Sequence, residues 1–215
     1  MVSAMSGHRL LDLQMDTAAA QGGFACPRGL SGAVIGYLMA WTHGRRNNWV
    51  LSSLDVKLDD RVLEIGFGPG TEIQQAAKLA TRGFVAGVDP SDVMLRQATR
   101  RNRRYIREGR VELRLASMSA IPYANCSFDK VFGINCIQFS PNLPHDLAEI
   151  RRVLKPPGLA ALAVQPLWKG ATDDTAVKIG RDLREAMIEA GFEPCRTEQK
   201  RLWPRMIVCV IGHLS

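Results

Sequence analysis

Two carboxylates and three glycines lie where they can do chemistry together. The run Val62-Leu63-Glu64-Ile65-Gly66-Phe67-Gly68-Pro69-Gly70 sets a short apolar stretch directly ahead of Gly66-x-Gly68-x-Gly70. Glycines there let the backbone take positive φ and pass close to a ligand, so a strand, this loop and a following helix make a nucleotide-handling turn. The spacing departs from the dinucleotide fingerprint G-x-G-x-x-G, because the third glycine comes one residue early, with Pro69 before it. Asp89 lies 23 positions after Gly66 and closes a second apolar run, Gly83 to Val88. Its two acceptor oxygens suit a vicinal diol, and a ribose-binding acid follows such a loop at an offset of ~20 residues.

Those side chains need strands to aim them and helices to cover the strands. Apolar runs predict strands over 61–65, 83–89, 111–115, 128–134 and 159–164, alternating with helices over about 71–81, 91–105, 143–154 and 174–190. Asp89-Pro90-Ser91-Asp92 can cap the second of these helices, and Lys155-Pro156-Pro157-Gly158 stops the third. Two final strands, Glu193 to Arg201 and Met206 to Ile211, flank Trp203-Pro204 closely enough for a hairpin. The alternation predicts an α/β fold with a parallel sheet covered on both faces. Residues 1–28 read as a tail ending in a turn. From Leu30 the apolar residues Leu30, Ala33, Val34, Tyr37, Leu38 and Trp41 follow one helical face; Gly44 and Arg45-Arg46-Asn47-Asn48 then interrupt it before Trp49, Val50, Leu51 and Leu54. The expected division is an N-terminal tail and apolar helix over 1–54 and a sheet domain over 55–215.

With 215 residues and 46% hydrophobic content, the chain can bury one proper core. Its formal charge of +7 is concentrated: from Arg96 to Arg110 there are seven arginines and one acid, Glu108. The five cysteines form no C-x-x-C pair and mostly sit in apolar runs, which predicts reduced, buried thiols and a cytoplasmic location. No metal is expected. The opening residues lack a secretory pattern, and no run of about 18 apolar residues occurs, so neither export nor membrane insertion is expected.

Glu64 before the loop, Pro69 within it and Asp89 after it resemble the class I S-adenosylmethionine-dependent methyltransferases, in the group that includes the ubiquinone and menaquinone biosynthesis enzymes. The likeness runs from about Arg61 to Gly158. It implies a Rossmann-like seven-stranded sheet, parallel with an antiparallel C-terminal hairpin strand and flanked by helices, with the N-terminal helix as a lid. It implies S-adenosylmethionine as cofactor, released as S-adenosylhomocysteine, held by Glu64, Gly66, Phe67, Gly68, Gly70, Asp89, Pro90, Met94, Ser117, Met118 and Asn135. Family members often carry an acid where Ser117 stands; here a hydroxyl or a backbone carbonyl would take the adenine amino group. Glu64 would meet the positive sulfonium and α-amino group, or only brace the loop. Met94 and Met118 are cofactor wall or core filler.

Methyl transfer from a sulfonium is an in-line displacement that needs a base only for a protonated acceptor. Asn135, Gln138, His43 and His145 are the candidates to touch the acceptor, each with an ordinary polar role as the competing reading. Only about eight residues, Gln165 to Thr172, follow the fifth strand before the next helix, which favours a small methyl acceptor. Trp41, Trp49, Phe139 and Trp168 can supply an apolar wall, so the acceptor is expected to be hydrophobic. Other readings remain. The arginines Arg96, Arg100, Arg103 and Arg107 share a helical face that would track the phosphates of an RNA, although a solvated face is the commoner meaning and nucleic acid is not the expected partner. The 30–41 helix and the arginines would also suit peripheral membrane contact for phospholipid or quinone-precursor methylation, and an apolar helix suits a homodimer contact. An NAD-dependent oxidoreductase is disfavoured by the early third glycine and Pro69.

Overall fold

A computed structural model describes residues 44–215 of the chain. The N-terminal tail, the apolar 30–41 segment and the candidate His43 lie outside the described residues. Seven strands form one sheet: β1 (Arg61–Ile65), β2 (Phe84–Asp89), β3 (Val111–Leu115), β4 (Phe128–Ile134), β5 (Leu154–Val164), β6 (Cys195–Arg201) and β7 (Met206–Leu214). The helices are α1 (Gly44–Leu54), α2 (Thr71–Leu79), α3 (Asp92–Arg107), α4 (Leu143–Val153) and α5 (Asp173–Glu189), with a 3-10 turn at Ile137–Phe139. The spatial order is β3-β2-β1-β4-β5-β7-β6. β1 to β5 are parallel, and β7 runs antiparallel to both β5 and β6. This is a Rossmann-like sheet with an antiparallel C-terminal hairpin strand, as the resemblance implied.

Neighbouring residues of β1 face opposite layers, as the pleat requires. Leu63 and Ile65 join Val131, Leu147, Ile150, Leu162 and Leu183 beneath α4 and α5. Val62 joins Val50, Leu54, Phe67, Ile73, Val85 and Phe132 beneath α1, α2 and α3. With both faces covered, the inner strands carry nearly unbroken apolar runs. Among the described residues, no helix is long and apolar enough to cross a membrane.

Three expectations are corrected. Gly44 to Asn48 is not a break in helical structure but part of α1, whose Val50 and Leu54, both fully buried, dock on the sheet. α1 also meets the hairpin, where Ser53 Oγ donates to Glu198 Oε2 at 2.7 Å. The fifth strand starts at Leu154 rather than after Gly158: Leu154 pairs with Phe128, the register shifts, and Leu159 pairs with Lys130. Lys155-Pro156-Pro157-Gly158 is thus a bulge inside β5, fastened by Lys155 Nζ to Asp129 Oδ1 at 2.8 Å. Cys136 and Cys209 are buried free thiols as expected, but Cys126 is exposed, on a turn with φ 51°.

Candidate active site

The chain steps from β1 outward to β2 and β3, then returns to β4 on the other side of β1. That reversal opens a crevice at the carboxyl ends of β1 and β4, where open α/β sheets hold ligands. Gly66 to Gly70 lie at its edge. Gly66 N–H donates to Val88 O at 2.8 Å, and Gly70 N–H to Phe67 O at 2.9 Å. Gly66, Gly68 and Gly70 all have positive φ, 69°, 51° and 74°. A Cβ on Gly70 would lie 2.6 Å from Ala98 Cβ, so this glycine lets α3 approach, whereas nothing lies within 4 Å of a Cβ on Gly68. Gly68 is therefore the open point of the loop. The Phe67 side chain is core, 1% exposed, so any ligand contact by Phe67 is through its backbone.

Three acids converge behind this loop. Glu64, Glu72 and Asp89 are 2%, 7% and 7% exposed. Asp89 accepts from Gly68 N–H through Oδ2 and from Ser91 N–H through Oδ1, both at 2.9 Å. Each oxygen keeps a lone pair for a further donor. Burial pushes the Asp89 carboxyl above its ordinary range, and the two amides pull the other way. Glu64 accepts from the Ile73 amide in the first turn of α2. Because Gly70 at the N-cap has no side chain, Glu64 takes over the capping role. Its other oxygen, Oε2, is buried with no hydrogen-bond partner. Burial, then the charges of Glu72 and Asp89, hold the Glu64 carboxyl well above the usual carboxylate range. Buried like charges with an orphaned acceptor fit a cationic donor, such as an ammonium or sulfonium group.

The acceptor side is built on the end of β4. Asn135 takes φ 53°, its N–H donates to Ala163 O, and its Oδ1 accepts from Gln165 N–H at 2.7 Å. It ties β4 to the β5 end. Gln138, on the 3-10 turn, has a buried Oε1 without a partner. Ser140 Oγ on the same loop donates to Asp146 at 2.5 Å. His145 lies on the first turn of α4 with its side chain 54% exposed and Nδ1 3.5 Å from Asp146. Cys136 packs under Gly66, its thiol pushed up to about 12 by burial.

The remaining residues expected to meet a cofactor are spread along the same edge. Pro90 is exposed, while Met94 is 3% exposed and packs in the core with Phe67. Ser117 is exposed, and its Oγ accepts from Ser119 N–H at 3.2 Å; Met118 packs against the α4/α5 core. Several residues here escape sequence reading. Thr71, on the first turn of α2, has a buried Oγ1 with no partner. Arg101 Nε donates to Pro69 O and Asn102 Nδ2 to Gly70 O, both at 2.9 Å. Part of the arginine run is thus a brace for the loop, and Arg96 and Arg104 are paired with Asp92 and Glu108. Only Glu72 left a signal, as an acid at the start of the helix that follows the glycines.

The family described as "Methyltransferase domain" matches residues 62–158, the span from β1 to the bulge of β5. The "Uncharacterized methyltransferase YdaC" of Bacillus subtilis is 31% identical over 176 residues, covering 82% of this chain and 95% of that protein. A "SAM dependent methyltransferase from Aquifex aeolicus" superposes with TM-score 0.65 at 20% identity, covering 79% of this chain and 89% of the other. A geranyl diphosphate C-methyltransferase from Streptomyces coelicolor, in complex with geranyl diphosphate and S-adenosyl-L-homocysteine, superposes with TM-score 0.64 at 15% identity, covering 80% and 79%.

Proposed function

Because the chain belongs to the methyltransferase family, we propose that it moves the methyl group of S-adenosylmethionine onto a small, hydrophobic organic acceptor. The observation that carries this reading is the buried trio Glu64, Glu72 and Asp89 with the unpartnered Glu64 Oε2, beside a glycine loop at the sheet's switch point. When bound, S-adenosylmethionine supplies an electrophilic methyl group on a sulfonium sulfur. Asp89 holds the ribose diol through the free lone pairs of its two oxygens. Glu64 accepts from the α-ammonium and, with Glu72, sets a negative field that favours a cation. Gly68, Ser117 and Met118 border the rest of the cofactor. Gln138 orients the acceptor through its unsatisfied Oε1, while Asn135 is a positioning residue that fixes the β4 and β5 ends around it.

The acceptor class follows from the rim. The β5–α5 connection is short; its Leu167, and Trp203 on the β6–β7 turn, are exposed apolar side chains at the carboxyl edge of the sheet. That rim suits an apolar molecule, and a relative in fold that acts on an isoprenoid diphosphate is compatible with it. Calorimetry tests the cofactor: binding of S-adenosylhomocysteine and not of NADH is expected, and the reverse result refutes the proposal. An acceptor screen with methyl-labelled cofactor then tests the acceptor, with label expected in organic-extractable products.

A further inference from the structure

The turn between β6 and β7 projects from the same sheet edge as the glycine loop, because β7 is antiparallel and its Met206 end lies beyond Val164 of β5. Its tip reads Lys200-Arg201-Leu202-Trp203-Pro204-Arg205, with three cations, one tryptophan and no acid. Trp203 is 93% exposed. A lone exposed apolar residue is ordinary, but this one is held outward by a tied backbone. Gln165 Nε2 donates to Arg205 O, and Met206 N–H donates to Asp173 Oδ1, both at 2.8 Å. The same bonds join the tip to the β5–α5 loop, where Leu167 is 45% exposed. Gln165 in turn donates its backbone N–H to Asn135, so the tip is linked through two hydrogen bonds to the end of β4.

We propose that this tip is a docking surface for an anionic lipid bilayer, with Trp203 and Leu167 entering the headgroup layer and Lys200, Arg201 and Arg205 meeting lipid phosphates. A tryptophan with cations beside it matches a water–lipid boundary, where the indole sits at headgroup level and positive side chains are drawn to the negative surface. Apart from its cations the tip carries only apolar side chains, so it has no amide or carboxylate for reading base edges. The proposal rests on the hydrophobic-acceptor reading: docking here would present the mouth of the crevice to molecules dissolved in the bilayer. Within the tip, Arg201 lies 3.5 Å from Asp173 and Lys200 sits over the Trp49 ring, yet the Arg201 side chain stays 84% exposed and open to a phosphate.

Flotation of the full chain with phosphatidylglycerol and with phosphatidylcholine vesicles tests it. The protein is expected to rise with the anionic vesicles only. Trp203→Ala should cut the floated fraction at least about tenfold, and so should Lys200→Glu combined with Arg201→Glu. Arg100→Glu with Arg103→Glu should leave it unchanged. Thermal melting of Trp203→Ala should match the parent, since the side chain is almost wholly in water. Failure to float, or undiminished flotation of Trp203→Ala, overturns the proposal. Binding of a short RNA in preference to vesicles, lost in Trp203→Ala, also overturns it and assigns the tip to nucleic acid. A protein that binds S-adenosylhomocysteine but does not float loses the docking surface alone; one that floats without binding it loses the enzymatic reading instead.

Discussion

Glu64 serves two ends that pull in opposite directions. One oxygen caps α2, which favours the ionised form, while burial and the neighbouring acids favour the protonated form and prevail. Its folded-state affinity for a proton therefore exceeds that of the unfolded chain. Stability from this group is fully present below the ordinary carboxylate range and is lost as pH rises from there through the raised value; buried Asp89 acts in the same direction. Glu64→Gln should consequently raise the unfolding temperature of the ligand-free protein at neutral pH and not at acid pH, as melting curves across pH would report. The same substitution should weaken S-adenosylhomocysteine binding, since the ammonium loses its counter-charge. Asp89→Ala is expected to weaken that binding by about 1 to 3 kcal/mol, roughly 5- to 150-fold in Kd by calorimetry. Unchanged affinity would place the ribose elsewhere.

The glycine loop shows what the sequence could and could not reveal about elements. Gly66, Gly68 and Gly70 announce close backbone approach, but only the packed structure separates the approach of α3 from that of a ligand. Gly70→Ala adds a methyl 2.6 Å from Ala98 Cβ at φ 74°, so chemical denaturation should show a loss of about 2 to 5 kcal/mol. Gly68→Ala meets no neighbour and should cost only about 1 to 2 kcal/mol of backbone strain, while impairing cofactor binding more than stability. The strands and most helices were legible because the sheet is buried on both faces and its runs are apolar. The clamp of Arg101 and Asn102 on the loop was not, since it joins positions 32 residues apart that only α2–α3 packing brings together. Nor was the helical state of Gly44 to Asn48, because the sheet beneath α1, rather than those polar residues, makes the helix favourable.

At the scale of the molecule, strand order decides the site: the outward walk to β3 and the return to β4 leave the crevice between β1 and β4; alternating apolar segments foretold the parallel sheet but not this order. The antiparallel β7 has a further consequence, which concerns the order of synthesis. Residues Ile207 to Ile211 are fully buried between β5 and β6, yet β7 follows β5 in the chain by about 40 residues. At ribosomal rates of about 5 to 20 residues per second, the apolar edge of β5 waits about 2 to 8 seconds for its neighbour. During that interval the nascent chain carries an unpaired strand of the kind that seeds aggregation. A chain ending at Arg205 would keep that edge open permanently; it should accumulate as insoluble protein under expression conditions that yield the full chain in solution, as fractionation of the lysates would show.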